Sequence, residues 1–203
     1  MSYDCLNMIR KQVVIYIPGL GDNKPRGQKL ALNLFRIFGI KPYYFPIGWA
    51  DSDTYENKMD ELDSLIYRFY KDSSVNLFAA SAGASAAVNS YARNLDKINS
   101  VSLVCGKIQN INKIHSSYYS KNPNFKDSVI ELEDSLSKLN TNSRAKILSI
   151  RPQKDPVVAP KDTIIEGAKN LQSFTYGHTP TIIHYLTLGN PRIVWWIKKN
   201  SKN

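Results

Sequence analysis

Apolar residues along this chain switch repeatedly between short continuous runs and a three-to-four-residue period. Val13-Val14-Ile15-Tyr16-Ile17 is a β-branched and aromatic run of the kind that forms a strand covered on both faces. Over 26–38, Leu30, Leu34, Ile37 and Phe38 recur at helical spacing and predict a helix that buries those four, with Gly39 placed to end it. Residues 41–47 predict a proline-flanked strand, and Met59, Leu62, Leu65, Ile66 and Phe69 predict an amphipathic helix. Val75-Asn76-Leu77-Phe78-Ala79-Ala80 is the next strand. A helix carrying Ala84, Ala87, Val88, Tyr91 and Leu95 follows, and then a strand over 101–105. After a polar and aromatic stretch, Val129, Leu132, Leu136 and Leu139 line one helical face, and strands are expected over 145–150 and 171–176. The last helix spans 191–199, with Pro191 in its first turn and Lys198 and Lys199 at its C-terminal end, where the helix dipole favours cations. Strands alternating with helices predict an α/β fold: a predominantly parallel open sheet with helices on both faces. No repeat or linker interrupts the pattern, so the 203 residues read as one domain, large enough to bury a core without disulfides or metal.

Composition narrows the classes. A hydrophobic content of 42% fits a soluble globular chain. The first ten residues include Asp4 and no long apolar stretch, so no secretory leader is expected, and no run reaches transmembrane length. The two cysteines, Cys5 and Cys105, lack metal-ligand spacing and read as free thiols, which points to a cytoplasmic location. A net charge of +10 and a pI near 9.5 suit an anionic partner. The lysines are scattered, however, and no helix-turn-helix, zinc or RNA-binding signature accompanies them, so no specific nucleic-acid partner is expected.

The strand that ends at Ala80 changes the picture most. Ala79-Ala80-Ser81-Ala82-Gly83 sets a serine between small residues where a strand passes into a helix. Such a sharp turn exposes the hydroxyl, and only small flanking side chains fit where the two backbones nearly touch. Gly83-Ala84-Ser85-Ala86-Ala87 has the same spacing, but no strand ends at Ser85, which lies one turn into the helix. A serine nucleophile in an open α/β sheet needs an acid and then a histidine further along the chain, both at the C-terminal edge of the strands. Asp155 sits in the proline-punctuated loop 151–160 after one predicted strand, and Gly177-His178 follows the next. Asp127, Asp134 and Asp162 read as helix caps or solvated charges. His184 lies in an apolar stretch, and His115 reads as a surface residue. After the first strand, Pro18-Gly19-Leu20-Gly21-Asp22 is a glycine-rich turn able to aim a backbone N–H at the serine. Lys24 breaks the dinucleotide-binding glycine pattern there, and no Gly-Lys-Ser/Thr follows to make a phosphate loop. Trp49 follows a strand at the same edge and is a candidate wall of a substrate pocket.

On these segments the chain resembles the α/β-hydrolase family, in particular its small, lid-poor members. Pro18-Gly19-Leu20-Gly21-Asp22 is similar to the His-Gly-Leu-Gly-Asp turn of carboxylesterases and thioesterases, with proline in place of histidine. Asp155-Pro156-Val157-Val158 and Gly177-His178 resemble the loops that supply the acid and the base. The resemblance spans 13–197, nearly the whole chain. It implies oxyanion donors at the N–H groups of Leu20 and Ala82 and a minimal lid over 107–140, with Tyr118, Tyr119 and Phe125 on its underside. It also implies hydrolysis of an ester-like bond, which together with the motifs is read as a small carboxylic ester or thioester cleaved through Ser81, His178 and Asp155, with no metal or organic cofactor expected. A catalytically silent binding or regulatory protein on the same fold is the alternative.

Overall fold

The computed structural model of the protein describes residues 10–201, so Cys5 lies outside the described residues. Elements follow one another as β1 (Lys11–Ile17), α1 (Pro25–Leu32), a 3₁₀ segment (Asn33–Phe38), β2 (Ile40–Tyr44), α2 (Tyr55–Tyr70), β3 (Ser73–Ala80), α3 (Gly83–Arg93) and β4 (Ile98–Val104). A 3₁₀ turn (Ile111–Lys113) leads into α4 (Ser116–Lys121), α5 (Pro123–Ser137), α6 (Thr141–Ala145) and β5 (Ile147–Arg151). A last 3₁₀ turn (Pro160–Thr163) precedes β6 (Lys169–Gln172), α7 (His178–Leu186) and α8 (Asn190–Asn200). The six strands form one sheet in the order β2-β1-β3-β4-β5-β6, and every neighbouring pair is parallel.

Parallel strands require crossovers, and the crossovers put helices on both faces. Side chains alternate accordingly. Val13, Ile15, Ile17, Val75, Leu77 and Ala79 enter one core with Met59 and Leu62 of α2, Val88 of α3 and Leu132 of α5. Val14, Tyr16, Phe78, Ala80, Val104 and Ile150 enter the other, with Leu32 of α1, Tyr185 of α7 and Ile193 of α8. Burial on both faces is why the inner strands read as continuous apolar runs. Asn76, a polar side chain buried at mid-sheet, is satisfied: its amide donates to the Val13 carbonyl (3.1 Å) and its oxygen accepts from Ser100 (2.8 Å). Ile17 pairs with Ala79 and Ala80 with Val104, so the C-terminal ends of β1, β3 and β4 lie level on one edge.

Several expectations need correction. The helix over 26–38 breaks at Asn33 into tighter 3₁₀ winding, and the buried residues are Leu32 and Phe35. Leu30 and Ile37 are 74% and 76% exposed. Leu30-Ala31-Leu32-Asn33-Leu34-Phe35-Arg36-Ile37-Phe38 is apolar at so many positions that two faces fit a helical period. The face that wins sets the Phe35 ring against Phe78, with centroids 5.9 Å apart. The strand expected over 41–47 ends at Tyr44, the strand expected over 171–176 lies instead at Lys169–Gln172, and the helix expected to carry Leu95 ends at Arg93. In the stretch read as a lid, α5 belongs to the body: Phe125, Val129 and Leu132 are buried in the core, with α5 packed against α2 and α3.

Candidate active site

Between the end of β3 and the start of α3 there are only two residues, Ser81 and Ala82. Ser81 takes φ 53°, a left-handed conformation that a side-chain-bearing residue adopts at a cost of about 1–3 kcal/mol. Backbone bonds hold it there: its N–H donates to the Val104 carbonyl (2.9 Å) and its own carbonyl accepts from the Ala84 N–H (3.0 Å). The turn is tight enough to demand glycine around it. A Cβ on Gly83 would meet the Ile17 and Pro18 carbonyl oxygens, and one on Gly19 would lie 2.9 Å from the Ser81 Cβ. The glycine turn after β1 is thus packed directly on the serine.

Ser81 Oγ lies 2.8 Å from His178 Nε2, and His178 Nδ1 lies 2.8 Å from Asp155 Oδ2. The other carboxylate oxygen, Oδ1, accepts from the Val157 and Val158 N–H groups at 2.8 and 3.0 Å. The Asp155 side chain is fully buried and that of His178 nearly so. Burial alone would raise the Asp155 carboxyl, but the imidazole and the two backbone donors outweigh it and hold the group below the usual aspartate range. Asp155 is therefore ionised at neutral pH, and Nδ1, hydrogen-bonded to it, carries a proton. Nε2 is left to accept from the serine hydroxyl. His178 was expected on a loop; it is instead the first residue of α7, after Gly177 with φ 84°.

Among the described residues, Cys105, Asp155 and His178 bring their ligand atoms within 4.8 Å of one another. The set does not suit a metal. Both ring nitrogens are engaged, and burial, reinforced by the charge of Asp155, pushes the Cys105 thiol well above the ordinary thiol range, so it stays protonated. Its Sγ faces the His178 carbonyl at 3.8 Å, which makes it backing for the histidine.

The remaining sequence candidates sort by burial. Ser85 is buried, donates to the Ala82 carbonyl (2.9 Å) and lies 2.8 Å from Ser128 Oγ; its hydroxyl faces the core. Asp127 and Asp134 are exposed, as expected of solvated charges. Asp162, expected to be a cap or a solvated charge, is neither: it is buried, 2.7 Å from both Lys107 Nζ and Asn110 Nδ2. It fastens the start of the 107–122 stretch to the loops beside Asp155. His115 is exposed and caps α4 through the Ser117 N–H, and His184 packs edge-on to Phe174 and Tyr185. Trp49 has no exposed surface; its indole N–H donates to the Pro18 carbonyl (3.2 Å) and its ring meets Phe125 edge-on at 5.9 Å. Phe125 is buried and Tyr119 packs on it at 5.8 Å, while Tyr118 is exposed. Among the described residues, the Leu20 and Ala82 N–H groups have no intramolecular acceptor.

Sequence reasoning assigned no role to Asp22. It is buried, and its Oδ2 accepts from the Gly48 N–H (2.7 Å) and more loosely from that of Trp49 (3.4 Å). Its carbonyl accepts from the Tyr44 hydroxyl (2.8 Å), so the turn after β1 is tied to the end of β2 and the loop beyond. Asn124 clamps that loop from the other side, donating to the Gly48 carbonyl at 2.8 Å. The only sequence signal was Asp22's place at the end of the glycine turn. A surface groove of about 770 Å³ between β2 and α2, lined in part by Tyr43, Asp60, Glu61 and Arg68, shares no residue with the Ser81 site.

No protein family and no characterised protein matches the chain by sequence. Solved structures do match it in three dimensions. Est1E from Butyrivibrio proteoclasticus aligns over 98% of this chain and 92% of its own, with TM-score 0.69 and 12% identity. A structure reported with LipS and LipT, two metagenome-derived lipolytic enzymes, aligns over 94% and 95% with TM-score 0.67 and 10% identity. The monoacylglycerol lipase of Paleococcus ferrophilus aligns over 93% and 94% with TM-score 0.62 and 15% identity.

Proposed function

The chain has the α/β-hydrolase fold, and from that premise we propose that it is a serine hydrolase acting on a small carboxylic ester or thioester. The observation that carries this reading is the unbroken hydrogen-bonded chain from Ser81 Oγ through His178 to Asp155. Lipases and esterases among the structural neighbours support ester hydrolysis in general.

In the proposed reaction, Ser81 Oγ attacks the carbonyl carbon while its proton passes to His178 Nε2. Asp155 keeps the imidazole oriented and stabilises its charged form. The Leu20 and Ala82 N–H groups donate to the oxyanion; their lack of other acceptors and the packing of Gly19 on Ser81 support that role. As the tetrahedral species collapses, the alcohol or thiol leaves with the proton from Nε2. Water then attacks the acyl-enzyme carbonyl, gives its proton to His178, and the second collapse frees the acid and restores Ser81.

Trp49 and Phe125, being buried, act from behind: Trp49 braces Pro18 and so the Leu20 turn. Tyr118 and Tyr119 on α4 are the proposed contacts with the substrate, and only the 107–122 stretch serves as a cover. Rates on p-nitrophenyl esters and acyl-CoA thioesters of graded length test the reading. Ser81→Ala and His178→Ala should each lower kcat by on the order of a thousandfold or more, and the double variant by little further, because the two act as a unit. Full activity in either single variant would contradict the proposal.

A further inference from the structure

α1, the 3₁₀ segment Asn33–Phe38, α7 and α8 cover one face of the sheet and touch one another in turn. The outer side of this layer carries exposed apolar and basic side chains. Leu188 is 86% exposed, and Ile37, Leu30, Ile183 and Trp195 are 76%, 74%, 54% and 47% exposed. Among these side chains stand six exposed cations, Arg26, Lys29, Arg36, Arg192, Lys198 and Lys199. None of the six has a carboxylate within salt-bridge distance among the described residues; Arg192 and Lys199 lie over the Trp195 ring instead. No Asp or Glu occurs between Asn23 and Ala50, nor from Gly167 to the end of the chain. On the opposite layer, by contrast, Arg93 of α3 meets Glu56 of α2 and Glu131 of α5.

We propose that this layer is a docking surface for an anionic lipid bilayer. Protruding aliphatic side chains and a tryptophan suit the boundary between acyl chains and headgroups, and unpaired cations suit lipid phosphates. Charge argues against a second copy of the chain, because a two-fold contact would set the six cations against six more. The layer also includes α7, whose first residue is His178, so docking would bring the serine site to the lipid surface. The docking claim itself does not depend on the chemistry proposed for that site.

Flotation of the protein with phosphatidylglycerol-containing vesicles, pure phosphatidylcholine vesicles as the comparison, tests this directly. Binding should need the anionic lipid and weaken with salt. Neutralising one cation at an anionic surface costs about fivefold in affinity, so Arg36→Gln with Lys199→Gln should lower binding roughly twentyfold or more. The pair Lys121→Gln with Lys126→Gln removes the same charge from the other side and should change it little. Leu30→Ser with Ile37→Ser and Leu188→Ser should lower it at least tenfold; these positions are exposed, and an unchanged thermal melt verifies the fold. The proposal is overturned if anionic vesicles do not bind, if phosphatidylcholine binds equally, or if the two charge pairs weaken binding alike. A concentration-dependent dimer lost in the serine variants would overturn it too, since the face would then be covered by a second copy. Hydrolase activity is not read, so failure here leaves the proposed chemistry intact.

Discussion

Asp155 is the residue on which the site's electrostatics turn. Its carboxyl titrates lower in the fold than in the unfolded chain, so folding favours the ionised form. That stabilisation is complete above the unfolded aspartate value of about 3.9 and is lost as pH falls through the lowered folded value. The difference in Tm between the wild type and Asp155→Asn should therefore be greatest near neutral pH and shrink on acidification below about pH 4, as melts across that range would reveal. A difference that grows towards acid would be of the wrong sign. Ser85 poses the opposite case, a serine with no reach to solvent. Ser85→Ala should leave kcat unchanged and lower stability by about 1 kcal/mol, the loss of one buried hydrogen bond, read from urea melts. At this scale the convergence of Ser81, His178 and Asp155 was legible because motif, chain order and strand ends agreed. Asp22 and Asp162 were not, because their partners, Gly48 and Lys107, are far away in sequence and nothing local marks a buried carboxylate.

Element boundaries decide whether the serine can be presented at all. The close approach of α3 to the end of β1 leaves no room for a methyl at Gly83, which would meet the Ile17 and Pro18 carbonyls. Gly83→Ala should lower stability by about 1–3 kcal/mol and reduce activity together with it, measured by denaturant melts and ester turnover. A variant of unchanged stability and activity would show that the turn is looser than described. The inner strands β1, β3, β4 and β5 were easy to place from sequence because burial on both faces leaves unbroken apolar runs between turns, whereas the edge strands β2 and β6, half exposed and partly polar, carry no such run and were misplaced. The helix over 26–38 was misjudged for a physical reason. Where nearly every position is apolar, periodicity cannot select a face, and the packing of Phe35 on Phe78 selects it instead. α5 was mistaken for part of a lid on position alone, although its own stripe of Val129 and Leu132 already marked a core-facing helix.

Across the whole molecule, the sheet carries the serine site on its C-terminal edge, a salt-bridged helical layer on one face and a basic, apolar layer on the other. With α5 in the body, little chain remains to cover a long substrate. Each methylene buried should raise kcat/KM by roughly fourfold, about 0.8 kcal/mol, only over the first few acyl carbons. Beyond these the rise should stop, as a graded ester series would reveal; a steady climb to long chains would point to a groove larger than this cover permits. The net charge was legible in the composition, but its segregation was not, since only the fold gathers α1, α7 and α8 into one layer. The central claim is that Ser81 is an activated nucleophile, and a fluorophosphonate probe followed by peptide mass spectrometry tests it most directly. One adduct per chain on the peptide bearing Ser81, absent from Ser81→Ala and much slower in His178→Ala, is the predicted result. An adduct on Ser85, or no labelling of the folded wild-type protein, would contradict it.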